Sequence, residues 1–139
     1  MGVGDPVGLA EAVARGIDLF DCVLPTRLAR HGTVLTAAGR LSLRSAACRE
    51  DDAPLDPSCP CPVCARWSRG YLRHLQMTGE PGSARLVTIH NVSWILALVY
   101  VALAPAYADP DLTFDDIPRG PLKSRTTDLS GEPEAGGEP

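Results

Sequence analysis

The feature that most constrains this chain is a group of three cysteines within six residues, followed later by a histidine. The group reads Cys59-Pro-Cys61-Pro-Val-Cys64, and His90 follows after 25 intervening residues. Three thiolates and one imidazole make a complete tetrahedral ligand set for Zn²⁺. Because four protein ligands leave no coordination position open to a substrate, such a metal would be structural. The sequence therefore predicts one structural Zn²⁺ per chain.

The fourth ligand is not fixed by spacing alone. His90 would have to return from the start of a later helix to close the site. His74, just after the cysteines, is the competing candidate, although it could instead face a partner. The alternative is that the three cysteines are reduced and bind no metal, but thiols this close together favour a metal. Cys22 and Cys48 have no matching pair, so we interpret them as ordinary thiols.

Composition divides the chain into two parts. The 139 residues suit one domain, here residues 1–108. Residues 109–139 hold eight acidic and three basic groups, a net charge of −5, whereas residues 1–108 carry +1. This Pro- and Gly-rich tail is expected to be disordered. The acidity does not exclude an RNA-binding face on the body, where a local cluster of arginines is what matters. Since no signal peptide is recognisable, we expect a cytoplasmic protein with free thiolates.

The hydrophobic pattern predicts a mixed α/β chain. Residues 6–15 fit a short helix that ends at Gly16. Residues 17–24 fit a buried strand that ends at Pro25, and residues 33–44 fit a hairpin turned at Gly39. Residues 49–62 are rich in charge and proline, which predicts a loop. Two more helices are predicted, over residues 64–77 and over residues 84–103, the second ended by Pro105.

Asp21 lies at the end of the predicted strand, before a proline-containing turn. In a (β/α)₈ barrel the carboxyl ends of the strands carry the active site. A carboxylate there can attack the anomeric carbon of a sugar. The alternative is a turn or capping residue, which is the commoner role of a lone aspartate. Arg27 and Arg30 suit bidentate contacts with a phosphate or a base edge, with a solvated turn as their alternative.

Three motifs, taken together, resemble one enzyme family. They read Gly-Ile-Asp-Leu-Phe-Asp21-Cys-Val-Leu-Pro-Thr-Arg27, then Pro-Leu-Asp-Pro-Ser-Cys59-Pro-Cys61-Pro-Val-Cys64, then Thr-Ile-His90-Asn. In order and spacing they are similar to the C-terminal third of bacterial tRNA-guanine transglycosylases, over residues 2–92. The resemblance implies a partial (β/α)₈ TIM barrel, formed by its last βα units, with an inserted structural zinc-binding subdomain at about residues 49–91.

The resemblance also implies a reaction. The family exchanges guanine at the wobble position of certain tRNA anticodons for a queuosine-precursor base. Asp21 matches its nucleophile, which would attack C1′ of the ribose, expel guanine and hold a covalent intermediate until the new base attacks. Two displacements would retain the anomeric configuration. Cys59, Cys61, Cys64 and His90 match the family's four zinc ligands, which favours His90 over His74.

Two segments match parts of the family that contact the tRNA anticodon loop. These RNA-contact segments consist of Gly2, Val3, Gly4, Asp5, Pro6, Val7 and Gly8, and of Thr26, Arg27, Leu28, Ala29 and Arg30. Asp5 departs from the family, in which a lysine is common at this place. Its charge is therefore expected to repel phosphate and weaken RNA binding.

An aromatic-rich stripe follows the cysteines. Trp67, Tyr71, His74 and Leu75 recur at helical spacing. One interpretation is intramolecular core. The other, implied by the resemblance, is a homodimer interface, in which aromatic residues are typical anchors. The sequence leaves both open.

The resemblance has limits. The family's base-recognition residues have no counterpart here, so we expect these 139 residues not to catalyse exchange alone. Residues 92–108 are almost entirely apolar, which fits a helix buried against the rest of a barrel better than a membrane span. A zinc-stabilised RNA- or partner-binding module without catalysis is the alternative function. A degraded remnant with a membrane-associated helix is a third hypothesis.

Overall fold

The structure, a computed structural model, describes residues 2–107. The predicted acidic tail at residues 109–139 lies outside this range. The described residues form four α-helices, one short 3₁₀ helix and one two-stranded sheet. In chain order they are α1 (Pro6–Ala14), α2 (Leu24–Arg30), β1 (Thr33–Thr36), β2 (Gly39–Ser42), the 3₁₀ helix (Ala46–Cys48), α3 (Arg69–Thr78) and α4 (Pro81–Tyr107).

Helix α1 confirms the predicted helix and explains Asp5. Pro6 occupies the first turn, where its missing N–H costs nothing. The carboxylate of Asp5 accepts a hydrogen bond from the backbone N–H of Gly8 at 2.8 Å. Asp5 is therefore the N-cap of α1, a role that Asp followed by Pro indicates in the sequence and that we did not predict. Its charge is partly engaged by the helix terminus.

The predicted strand at residues 17–24 is wrong. These residues are not in a strand, and α2 already begins at Leu24. Leu19 and Val23 are 79% and 67% exposed, so the apolar run is not buried by the described residues. A strand is stabilised by a paired neighbour, and none of the described residues provides one for this segment. The turn predicted after Pro25 is helix α2.

The hairpin is confirmed. Strands β1 and β2 pair in antiparallel fashion, with Thr33 opposite Ser42 and Thr36 opposite Gly39. Gly39 closes the turn with φ of +110°, a conformation that favours glycine. This hairpin is the only sheet in the part of the chain that the structure describes, and a barrel is not seen there. An α/β chain is therefore established, whereas the (β/α)₈ architecture is not.

Helix α3 begins later than predicted. Its N-cap is Ser68, whose hydroxyl accepts a hydrogen bond from the N–H of Tyr71 at 3.2 Å, so a start at Cys64 is wrong. The residues around Cys64 form turns instead, because the cysteine loop holds them. Arg69 ties the start of α3 to the preceding loop through an ion pair with Asp51 at 2.9 Å. The predicted end at residue 77 is confirmed to within one residue: α3 ends at Thr78, and its C-cap Gly79 has a left-handed φ of +75°.

Helix α4 organises the fold. It packs against α1, α2, α3 and β1, and it carries the buried residues Val87, His90 and Asn91. The helix predicted over residues 84–103 is confirmed but longer, since it begins at Pro81 and continues past Pro105 to Tyr107. A proline in the last turn removes a single helical donor and does not end the helix there. The core around α4 consists of Ala29, Val34, Leu43, Leu55, Cys61, Val63, Leu72 and Val87.

Helix α4 is also long and apolar enough to cross a membrane over Pro81–Val101, judged by length and composition alone. This is weak evidence, because core helices of soluble proteins pass the same test. The first half of α4 contacts the hairpin and holds the polar side chains of His90 and Asn91, both fully buried. A membrane span over this stretch would have to give up those contacts, which supports the prediction that a membrane span is unlikely.

Candidate metal centre and RNA-contact segments

Four side chains converge between the cysteine loop and helix α4. The ligand atoms of Cys59, Cys61, Cys64 and His90 all lie within 4.8 Å of one another. Cys61 and His90 are buried, and the other two cysteines are half-buried. His74 is exposed on α3 and is not part of the group. We call the four residues the metal cluster. Sequence reasoning predicted all four, and the fold brings them together across 26 residues of chain.

The ring of His90 is held in one orientation. Its Nε2 donates a hydrogen bond to the carbonyl of Leu35 at 2.8 Å, which assigns the proton to that nitrogen. Its Nδ1 lies 3.4 Å from Sγ of Cys61 and 3.3 Å from Sγ of Cys64. The lone pair of Nδ1 therefore points into the cluster. A backbone carbonyl that fixes the tautomer of a ligating histidine is a common feature of metal sites.

Burial sets the protonation states of the cluster. It raises the pKa of Cys59, and it raises the pKa of Cys64 to about 12. Burial also lowers the pKa of His90, so its imidazole is neutral, as a metal ligand must be. Without a cation Cys59 and Cys64 therefore favour the thiol form, and a soft divalent cation is what would displace their protons. Three sulfurs and one nitrogen in a buried group fit a four-coordinate structural metal.

Asp56 stabilises the cysteine loop through hydrogen bonds, a role that was not predicted from the sequence. The side chain is buried, and its carboxylate accepts hydrogen bonds from the N–H groups of Ala37 and Ser58 and from the indole of Trp94. Burial alone would raise the pKa of Asp56, but these hydrogen bonds outweigh it and the pKa is lowered. Its backbone carbonyl accepts from the N–H of Cys59 at 3.1 Å. The signal available in the sequence is Asp-Pro-Ser, an Asx turn.

Asp21 is exposed at the protein surface, between the two RNA-contact segments. Its backbone carbonyl accepts a hydrogen bond from the N–H of Gly2 at 2.8 Å. Its side chain is exposed, and no described residue hydrogen-bonds its carboxylate. The structure thus brings Gly2 against Asp21 and Gly4 against Cys22, and α2 begins at Leu24.

Helix α2 presents its two arginines outward. Pro25 and Ala29 are buried, whereas Arg27 and Arg30 are exposed. Thr26 and Leu28 are half-buried, and the Thr26 hydroxyl donates to the carbonyl of Val23. In the first segment Gly2, Val3, Asp5 and Val7 are exposed, Pro6 and Gly8 are half-buried, and Gly4 is buried. Of the predicted contact residues, Gly4 and Ala29 are buried, so contacts with RNA are a prediction only for the others.

Gly4 lies directly against Cys22. A Cβ at Gly4 would be 1.7 Å from Sγ and 2.8 Å from Cβ of Cys22. The same sulfur accepts a hydrogen bond from the N–H of Leu24 at the start of α2. The absence of a side chain at Gly4 therefore allows the first RNA-contact segment to pack beside Asp21.

Replacing Gly4 with alanine is expected to destabilise the protein by about 1–3 kcal/mol, because the new methyl group overlaps Cys22 and neither backbone can give way freely. Thermal unfolding of the metal-loaded chain measures the effect. Gly82→Ala is the matched control, since a Cβ there meets nothing within 4 Å. Adding Cys22→Gly to Gly4→Ala should restore part of the loss. Equal melting temperatures for Gly4→Ala and Gly82→Ala would contradict the packing described here.

The aromatic stripe is only partly on α3. Trp67 precedes the helix, and its ring stacks on that of Tyr71, with centroids 4.7 Å apart. Leu75 packs against the core, whereas Tyr71 is 42% exposed and His74 is exposed. Trp67 and Leu75 therefore contribute to intramolecular packing, whereas Tyr71 and His74 lie at the surface, and the homodimer interface stays a prediction.

Comparison with known proteins identifies the family. The family model described as queuine tRNA-ribosyltransferase matches residues 1–102. The queuine tRNA-ribosyltransferase of Halothermothrix orenii is 49% identical over 116 residues, which cover 84% of this chain and 31% of that protein. The queuine tRNA-ribosyltransferase of Desulforudis audaxviator is 54% identical over 98 residues, which cover 70% of this chain and 26% of that protein. The chain thus spans less than a third of the length of these relatives. It belongs to the queuine tRNA-ribosyltransferase family.

Proposed function

We propose that this chain supplies the nucleophile and the anticodon contacts for guanine exchange in tRNA. The observation that carries the proposal is the exposed side chain of Asp21, a residue whose backbone bonds Gly2 of the first segment and that closely precedes helix α2. These are the two segments that the resemblance assigns to RNA contact. The names of the relatives indicate transfer to tRNA, and the sequence match covers all three motifs.

The proposed chemistry proceeds in two displacements at one carbon. The Asp21 carboxylate attacks C1′ of the wobble ribose, a carbon–oxygen bond forms, and the C1′–N9 bond to guanine breaks. Guanine leaves with the bonding electron pair and takes up a proton. The incoming queuosine-precursor base then attacks C1′ from the opposite side, loses a proton and releases the carboxylate. Two inversions retain the configuration at C1′.

The exposure of Asp21 suits this role, because a nucleophilic carboxylate has to be reached by the sugar that it attacks. Asp21 is exposed and has no hydrogen-bond donor among the described residues, so its oxygens are available to the sugar. The base-recognition pocket is not represented among the motifs of this chain. We therefore propose that these 139 residues alone do not turn over guanine.

The metal cluster is proposed to hold one Zn²⁺ in a structural role. Cys59, Cys61, Cys64 and His90 would be its ligands, and the bound metal would cross-link the cysteine loop to α4. We further propose that the chain forms the last βα units of a (β/α)₈ barrel and acts in the cytoplasm, where reduced thiolates can hold zinc. The exposed Tyr71 and His74 are proposed to contribute to a homodimer.

The double variant Arg27→Ala/Arg30→Ala is expected to weaken binding of an anticodon stem-loop. Each arginine that neutralises a phosphate adds about 0.7–0.9 to the slope of log affinity against log salt, so the slope should fall by about 1–2. Fluorescence anisotropy at several salt concentrations measures it. Arg40→Ala, which removes an exposed arginine from β2, is the control. An unchanged slope in the double variant would rule out phosphate contacts by α2.

A chimaera tests the proposed activity as a whole. Residues 1–102 of this chain would replace the matching segment of the queuine tRNA-ribosyltransferase of Halothermothrix orenii, which is 49% identical here. The expected result is incorporation of labelled guanine into tRNA by the folded chimaera. A chimaera that binds zinc and tRNA but incorporates no guanine would refute the catalytic role and leave the second candidate, a zinc-stabilised RNA-binding module. The exposed arginines of α2 are what favours that candidate.

A further inference from the structure

The side chain of Asn91 joins three distant parts of the chain. It is fully buried, and its Oδ1 accepts a hydrogen bond from the N–H of Leu35 at 2.9 Å. Its Nδ2 donates to the carbonyl of Pro25 at 3.1 Å and to the carbonyl of Thr33 at 3.0 Å. Both amide hydrogens are thus used. None of these bonds is local in sequence. A single side-chain amide therefore joins α4, β1 and α2 through hydrogen bonds.

Asn91 directly follows the metal ligand His90, and both residues bind Leu35. The His90 ring donates to the Leu35 carbonyl, while the Asn91 amide accepts from the Leu35 N–H. The two polar groups of one β1 residue are therefore held by two consecutive residues of α4. Any event that fixes the position of His90, such as metal binding, also fixes the position of Asn91.

Helix α2 depends on contacts with other elements for its stability. It has seven residues, and its N-cap Val23 makes no side-chain capping bond. Isolated helices of this length are unstable in water, so the position of α2 must come from tertiary contacts. Pro25 and Ala29 are buried and α2 packs against α4, with Asn91 supplying the buried polar bond to its first turn. The opposite side of α2 carries the exposed Arg27 and Arg30.

We propose that Asn91 is a positioning residue through which a metal bound by His90 orders helix α2 and thereby presents Arg27 and Arg30. The part that concerns RNA rests on the proposed function. The coupling between metal and α2 rests only on the proposed metal site and not on RNA binding. Removing the amide would take the donor from the carbonyl of Thr33 and break the polar bond between α4 and the Pro25 carbonyl in the first turn of α2. Helix α2 could then move away from α4.

Hydrogen exchange on the full 139-residue chain tests the coupling. In the unsubstituted chain, added Zn²⁺ should slow exchange of the backbone amides of residues 24–31 by at least about tenfold. In Asn91→Ala, zinc affinity should change by no more than about tenfold, while the slowing over residues 24–31 falls below about twofold. Ser93→Ala, whose hydroxyl bonds only its own helix at Ile89, should behave like the unsubstituted chain.

A second readout separates positioning from loss of the cluster. Co²⁺ bound in place of zinc reports thiolate ligation through its charge-transfer absorption, which should be unchanged in Asn91→Ala. If that variant does not fold, the same measurements are made on Asn91→Asp. This variant keeps the oxygen that accepts from the N–H of Leu35 and loses both N–H donors of the amide. Failure of both variants to bind either metal would overturn the proposal, because Asn91 would then belong to the cluster's own fold.

Two further outcomes would also overturn the coupling. One is zinc-independent protection of residues 24–31 in the unsubstituted chain. The other is equal, zinc-dependent protection in the Asn91 variants. A different result would separate the two proposals. If zinc-dependent protection is lost in Asn91→Ala and no variant binds an anticodon stem-loop, the positioning role is supported and the proposed function is contradicted. With RNA binding present, Asn91→Ala should lose as much affinity as Arg27→Ala/Arg30→Ala.

Discussion

Replacing Cys61 with alanine is expected to abolish tight metal binding and to unfold the region around the cluster. Cys61 is buried, and its sulfur lies 3.4 Å from Nδ1 of His90 and accepts from the N–H of Cys64. Structural zinc contributes about 10–16 kcal/mol of binding free energy in zinc-finger peptides, and there it is folding free energy. Zinc affinity should therefore fall at least about a hundredfold, more than is lost on removing an outer-shell partner.

Elemental analysis and circular dichroism measure this effect together. The unsubstituted chain should hold one zinc per molecule and lose structure when a strong chelator removes it. Cys22→Ala is the control, because Cys22 is a half-buried free cysteine that lies outside the cluster. It should retain the metal. A Cys61→Ala protein that keeps one zinc and an unchanged melting temperature would show that the cluster is not a metal site.

The metal cluster could be predicted from the sequence because most of its information is local. Three ligands fall within six residues, and their spacing alone indicates a metal. The fourth ligand needed the family resemblance, since His74 and His90 fit equally well on spacing. The fold then separates them: His90 lies on the face of α4 that packs on β1, whereas His74 is exposed on α3.

The remaining features depend on contacts that no local pattern encodes. The apolar run at residues 17–24 has the composition of a strand, but strand formation needs a pairing partner, and the described residues offer none. Helical periodicity extends back to Cys64, yet the cysteine loop overrides it and Ser68 starts α3. Asn91 bonds residues 56, 58 and 66 positions away, and a single asparagine in an apolar helix gives no signal of that.

Replacing Asp21 with asparagine is expected to abolish base exchange in the chimaera that carries residues 1–102 of this chain. Asparagine keeps the size of the side chain but has no negative charge with which to attack C1′. Loss of a covalent nucleophile costs on the order of 10⁶ in turnover in a well-studied hydrolase, so exchange should fall at least about a thousandfold. Incorporation of labelled guanine into tRNA measures turnover, and denaturing gels of enzyme mixed with tRNA measure the covalent intermediate.

Asp18→Asn is the matched control, because Asp18 is an exposed aspartate of the same segment. It should retain exchange and the covalent band, whereas Asp21→Asn should lose both and still bind tRNA, since Arg27 and Arg30 are intact. That combination distinguishes a nucleophile from a residue that only maintains the conformation of the segment. Replacing a residue of the second kind would lower RNA affinity and turnover together. Persistence of the covalent band in Asp21→Asn, or its loss in Asp18→Asn alone, would assign the nucleophile to another carboxylate.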